Sequence, residues 1–572
     1  MLVLRTHSQV VAVIILLISG VILCQAVSAL AETGSSREGR TEWFNLSGQA
    51  GLSTEHKWSP KQGSTLDSWS GYAYFNPTLE LFEVLTISGN FVRSLRNSEE
   101  YRATGHLSLH PEWSWGSVQA GDFSESFSSL VLDGLVLEGV SVSINPGSLR
   151  MTFLRGVSPD RIYDPSSGSS YDRIIYGGKV GIGNESGSHL YLHLVRGFDE
   201  ITSKSRVDEP RADTGDLSEF ETSHTTGFST ESTPQECLTI GARSQLEMFS
   251  NRISLAGEID GSAFTKDTRA SVIRDHGLPK FVSRFFTPRV GSCLDLASRA
   301  ELTVSSGGLT ITSGYKYIGP GYASLGLANQ VSDMQELSIG LTWRSRNHSF
   351  HIHAMRDSDN LLGQRELTTY GQKLSGSLRW QPATAWLTIV TGSVVNGTTE
   401  SSARSIESVR NSRFATLQQA WRPSSGGILR RMAGTFTYQE SSIDTRGSGD
   451  SYCRSYMLMV DTRTKPATRI LINLRASTKV TLRSNLSSDR MSSGGLTATW
   501  ELLPGKCTLT SSTDFTVSSG NAVVISDASL NFSIWSGCQL ESCIRGSASM
   551  NRVDSSWQRD DLELSLSLNQ RF

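Results

Sequence analysis

From about residue 43 onward, apolar and polar residues alternate along this chain in short runs. Leu337, Ile339, Leu341 and Trp343 lead into the polar stretch 344–347, and Phe350, Ile352 and Ala354 follow it. Leu302 and Val304 reach Leu309 and Ile311 through Ser305-Ser306-Gly307-Gly308, and Leu374, Leu378 and Trp380 reach Leu387 and Ile389 through Gln381-Pro382-Ala383. Successive side chains of a strand point to opposite faces, so each run predicts a strand with one apolar and one polar wall. The small Gly, Pro and Asn clusters between runs predict hairpin turns. Longer connections alternate with them, at 158–171, 198–236, 262–292, 319–333, 357–367 and 397–406.

Tight turns at one end and long loops at the other predict an all-β fold, a transmembrane antiparallel up-and-down β-barrel. About 24 to 26 strands fit between Trp43 and Phe572, an even number being favoured by closure of a single chain. Trp343, Trp380, Trp421 and Trp500 each end a strand just before a short turn. Indole suits the headgroup level, so these four read as an aromatic girdle on the periplasmic side.

The last strand carries the narrowest pattern. Leu562, Leu564, Leu566 and Leu568 alternate with Glu563, Ser565, Ser567 and Asn569, and the final residue, Phe572, keeps the parity of the leucines. This resembles the closing strand of bacterial outer-membrane β-barrels, with Gln570 departing from the apolar residue usual there. The resemblance implies that Leu564, Leu566, Leu568 and Phe572 form a signal read by the barrel-assembly machinery. It places the protein in the outer membrane of a Gram-negative cell, with membrane lipid as its surroundings.

The amino end agrees with export. Arg5, the apolar run from Val10 to Val27 and Ala29-Leu30-Ala31 form a charged region, a hydrophobic region and a small-residue cleavage site. The expected division is a signal peptide over 1–31, a short segment over 32–41 and one barrel over 42–572. No later segment approaches the roughly 18 consecutive apolar residues that a spanning helix needs. The chain is 37% hydrophobic with a formal net charge of −2, so nothing points to nucleic acid. Six cysteines follow the expected signal peptide, an even number that permits disulfides, and none forms a C-x-x-C pair.

Chemistry would have to lie on the polar faces. His106 with His110, His189 with His193, and His351 with His353 alternate with apolar neighbours, so all six are expected to line the lumen. An H-x-H pair could also hold a metal through neutral imidazole, or supply the base of a hydrolase. Hydrolases built on barrel walls need that base on the lipid-facing parity, which these residues lack. No cofactor and no enzymatic activity are expected.

Three connections add detail. Gly121, Asp122, Gly134 and Gly139 interrupt strand-like segments at close spacing, which predicts a constriction or bend. A tight periplasmic turn is the plainer form of that bend, and a segment folded into the lumen is the other. The G-D…L-x-x-G…G-V rhythm here is similar to stretches of secretion barrels such as chaperone–usher pores, over about 25 residues. Ile318-Gly319-Pro320-Gly321 is expected to form a rigid loop closing over the lumen, and Asp357-Ser358-Asp359-Asn360 offers oxygens to a calcium ion but reads first as a solvated loop. The functional expectation is a porin-like channel for passive or substrate-selective passage. Its alternatives are a barrel exporting polypeptide or polysaccharide with periplasmic partners, and a structural or adhesive barrel.

Overall fold

The computed structural model describes residues 44–58, 68–81, 85–89, 91–94, 108–158, 162–164, 169–184, 187–201, 233–274, 282–327, 332–403, 405–423, 427–446, 449–484, 486–518, 521–535, 538–551 and 556–571. The expected signal peptide, the segment 32–41, His106 and Phe572 lie outside these residues, as does the whole of 202–232.

The fold is all-β, with 26 antiparallel up-and-down strands in a nearly closed barrel. With few exceptions, strands pair with their neighbours in sequence, because tight turns make the antiparallel neighbour the one reached first. The last strand, Ser556–Arg571, closes on the first, Phe44–Trp58, with Leu52 opposite Leu568 and His56 opposite Leu564. Among the described residues no ladder joins Phe91–Ser94 to Ser108–Leu109.

The two walls separate by parity. Leu190 and Leu192, Leu294 and Leu296, Leu337 and Ile339, and Leu564 and Leu566 are all exposed on the outer face. In water such a surface is unfavourable by about 25 cal/mol per Å² of apolar area. Against hydrocarbon it is favourable, and closure leaves few strand edges unpaired in the lipid. The wall is uneven in height. Gly116–Ser124, Val136–Ile144 and Leu149–Val157 have 9 residues each, whereas Leu367–Ala383 has 17 and Gly449–Ala467 has 19. A strand needs about 9–11 residues to cross a bilayer, so the carboxyl-terminal half stands well clear of it.

One long connection wraps outward. Val282 and Phe286 close over Leu194, Leu238, Ile240 and Ala263 on the outer face. The principal core lies inside the barrel, where two other connections leave the rim and pack on the lumenal wall. The bend at 121–139 is therefore an inward segment and not the tight turn that its glycines suggested. The loop after Ile318 likewise enters the lumen. The six cysteines within the described residues are all free thiols.

Candidate functional site: a two-segment lumenal plug

The first inward segment joins the strand Gly116–Ser124 to the strand Val136–Ile144. Its residues break the alternation: Phe127 is followed by Leu130, Val131 and Leu132 in an unbroken apolar run, which no half-wet strand accommodates. The run is buried against Leu154, Ile175, Val195, Ala297 and Ile318. These five stand on the lumenal parity of their strands, where polar residues prevail elsewhere. Gly134, with φ of 69°, supplies the left-handed residue that turns the chain back to the wall.

The second segment, 319–327, lies beside the first. Gly326 and Leu327 pair in parallel with Leu132 and Asp133. The Tyr322 hydroxyl donates to the Leu130 carbonyl at 2.9 Å and the Ser324 hydroxyl to the Val131 carbonyl at 2.5 Å. Burial pushes the Tyr322 phenol well above its ordinary pKa, so it acts as a neutral donor. The wall holds this segment through Asp295, whose carboxylate accepts from the Gly321 amide at 2.7 Å, and through Ser262, which donates to the Ala323 carbonyl at 2.5 Å. The Cys237 thiol donates to the same carbonyl at 3.0 Å. Every polar group of the backbone so far inside needs such a partner.

A cluster of ionisable groups fastens the first segment to the wall. His193, Gly241 and Asp260 stand in register on three successive strands, His189–Ile201, Glu236–Met248 and Ile253–Thr265. Gly241 has no side chain, so His193 reaches across it to Asp260, with Nε2 to Oδ1 at 2.6 Å. A Cβ on Gly241 would lie 1.8 Å from that oxygen and 2.7 Å from that nitrogen. Glu258, two residues before Asp260, shares its face, and the Ser128 hydroxyl of the inward segment donates to its carboxylate. Arg243 stands opposite Glu258, and Lys179 stands opposite His193 with its ammonium 5.4 Å from the Phe127 ring and 5.5 Å from the Tyr191 ring. The side chains of His193 and Asp260 are fully enclosed, which makes their mutual contact strong and its loss costly.

The donor atoms of His193, Glu258 and Asp260 lie within 4.8 Å of one another, so these three could hold a divalent cation. The hydroxyl of Ser128 is engaged by Glu258 and not by His193, so the group lacks a serine–imidazole pair. Its evident capability is to hold the plug.

Open space adjoins this cluster. A cavity of about 380 Å³ lies between Ser126, Ser129 and Asp133 of the plug and Arg243, Glu258 and Arg299 of the wall. A second, of about 360 Å³, continues along the wall past Glu301, Lys316, Glu336 and His353.

The remaining candidates are dispersed. His189 lies at a strand end, its Nδ1 2.9 Å from the Gly187 carbonyl and its ring stacked on Tyr191. His351 contacts Thr342 at 2.8 Å and stacks on His353, and His110 sits beside a short turn, partly exposed. Gly121 faces Gly139, and Asp122 faces Glu138, in the ladder just before the inward bend. Trp343, Trp380, Trp421 and Trp500 stand at the short-turn end, with Trp421 against Trp386 at 6.2 Å. Leu564, Leu566 and Leu568 lie in the closing strand. The oxygens offered to calcium near Asn360 serve the loop itself: Asp359 accepts from the Thr369 amide, and the Asn360 side chain bonds Arg365 and Thr368.

Sequence reasoning identified His193 but missed its partners, since Asp260 and Glu258 lie more than sixty residues away. A signal existed: Ile175, Val195 and Ala297 are apolar residues on the polar parity, which marks wall positions covered from inside.

No protein-family model matches the chain, and no curated protein is similar to it in sequence. Among solved structures, the siderophore receptor PirA from Pseudomonas aeruginosa is 8% identical, with 92% of this chain and 80% of that one covered and a TM-score of 0.40. The E. coli P pilus tip assembly intermediate PapC-PapD-PapK-PapG is 10% identical over 92% of this chain and 60% of that one, at 0.43. OccAB4 of Acinetobacter baumannii is 9% identical over 59% and 91%, at 0.27. At such identities and scores these likenesses carry no argument about activity.

Proposed function

We propose that this chain is an outer-membrane conduit for hydrophilic solutes, narrowed on one side by the two-segment plug. The observation that carries the reading is how unevenly the lumen is filled. Nearly all fully covered residues lie between Phe123 and Asp333, most of them in the plug or on the wall behind it. From Leu367 to Arg571 the lumenal parity carries mainly polar residues that stay open to solvent, among them Ser375, Ser377, Thr497, Thr510, Ser565 and Ser567. A polar, wet wall facing a partial plug suits passage of solutes better than a closed structural cylinder. In this reading the short-turn end with its tryptophans faces the periplasm.

Planar-bilayer recording of the mature chain tests it. Steady single-channel conductance is the expected result, and removal of 125–134 is expected to enlarge it. If the intact chain is silent and only the shortened one conducts, the exporting alternative, a conduit opened by its cargo, takes its place. Silence of both rejects passage altogether.

A further inference from the structure

The rim farthest from the long loops carries an uncompensated positive charge. Arg422, Arg430, Arg431, Arg463, Lys465 and Arg469 line a cavity of about 700 Å³ there, and the one acidic residue in its lining is Glu501. Trp421 directly precedes Arg422, and Trp500 directly precedes Glu501, which fixes the cavity to the tryptophan-bearing end. Arg430 is already engaged, and among the described residues no ion pair joins the other five cations to a carboxylate; the Nε of Arg431 is buried without a partner.

Further inward the cations are matched by carboxylates. On the strand Ile470–Arg483, Leu474 is exposed on the outer face, so Arg475, Lys479 and Arg483 have the lumenal parity. Asp461 stands opposite Arg475 on the neighbouring strand, and Asp489 stands opposite Thr481 on the other side. Asp514 stands across Gly495 from Arg475, its carboxylate lying over that glycine. Three carboxylates therefore face three cations down the wall, and the excess of positive charge is confined to the rim, where one carboxylate faces six cations. Like charges held together on rigid strands repel one another, and a bound anion relieves that repulsion. The cavity's volume lies in the range of small-ligand sites.

We infer that the solutes taken by this barrel are anionic, carrying phosphate, sulfate or carboxylate groups, and that the basic rim is the mouth at which they bind. The inference rests on the conduit reading for passage but not for binding. Arginine forks match such oxyanions two-fold, and low-dielectric walls focus the field of the cluster into the mouth.

The test uses the full-length mature chain in detergent and in planar bilayers. Inorganic tripolyphosphate is titrated calorimetrically, and the zero-current potential is measured across a KCl gradient. Expected are tripolyphosphate binding that weakens as salt rises, and a chloride permeability exceeding that of potassium. The pair Arg463→Glu with Arg469→Glu should reduce binding at least tenfold and invert the ion preference. Arg469→Gln, in an exposed turn, serves if the pair does not assemble, and should reduce binding several-fold. Binding by a chain that never conducts leaves the anion site standing and removes the conduit reading. Cation preference in the intact chain, or absence of tripolyphosphate binding, overturns the inference.

Discussion

At the residue scale, the decisive position is one without a side chain. Gly241 lets His193 and Asp260 meet across an intervening strand, and any Cβ there would overlap both. Gly241→Ala must push the pair apart or shift the backbone, at a cost of about 1–3 kcal/mol for overpacking a filled site. The expected outcome is a lower urea midpoint for the folded barrel in detergent. An unchanged midpoint would show that the latch contributes nothing to stability. His193 has the parity of a lumen residue and could be read from the sequence as such. Its function as a fastening could not, because Gly241 and Asp260 acquire meaning only once three strands lie in register.

At the scale of elements, the alternating runs account for most of what forms. The closing strand places Leu566 outward, half exposed, between Ser542 and Thr54 of its two neighbours. Leu566→Arg would set a cation on the lipid face, costing about 2–4 kcal/mol near mid-membrane and less toward the headgroups. Heat-resistant migration on gels should fall in that variant and not in Ser567→Arg, whose side chain has the lumenal parity. Equal loss in both would argue that the strand faces the other way. The inward segment was legible in part. Its glycines marked a bend, and the run Leu130-Val131-Leu132 marked a piece that could not be half wet. Whether that piece turned at the rim or entered the lumen depended on Leu154, Ile175 and Val195, which lie on other strands.

At the scale of the whole molecule, plug and wall are separable in principle, since the plug's own pairing is a separate two-stranded ladder that the wall's ladders do not use. Leu132→Asp would bury a carboxylate among Phe127, Leu137 and Val195, where ionisation costs several kcal/mol. That variant is expected to keep its heat-resistant barrel yet conduct more in bilayers, because the plug leaves the wall. Loss of the barrel itself would mean that wall and plug fold as one unit. The sequence by itself determined the strands, their parity, the alternation of turns and loops, and the tryptophans at one end. All of these follow from the local two-residue period and from the short reach of a turn. Only the tertiary structure decided that two loops fill one side of the lumen, that Glu258, Asp295 and Ser262 fasten them to the wall, and that cations from successive hairpins converge on one rim. Those features depend on which residues meet across strands far apart in the chain, and a local period does not encode that distance.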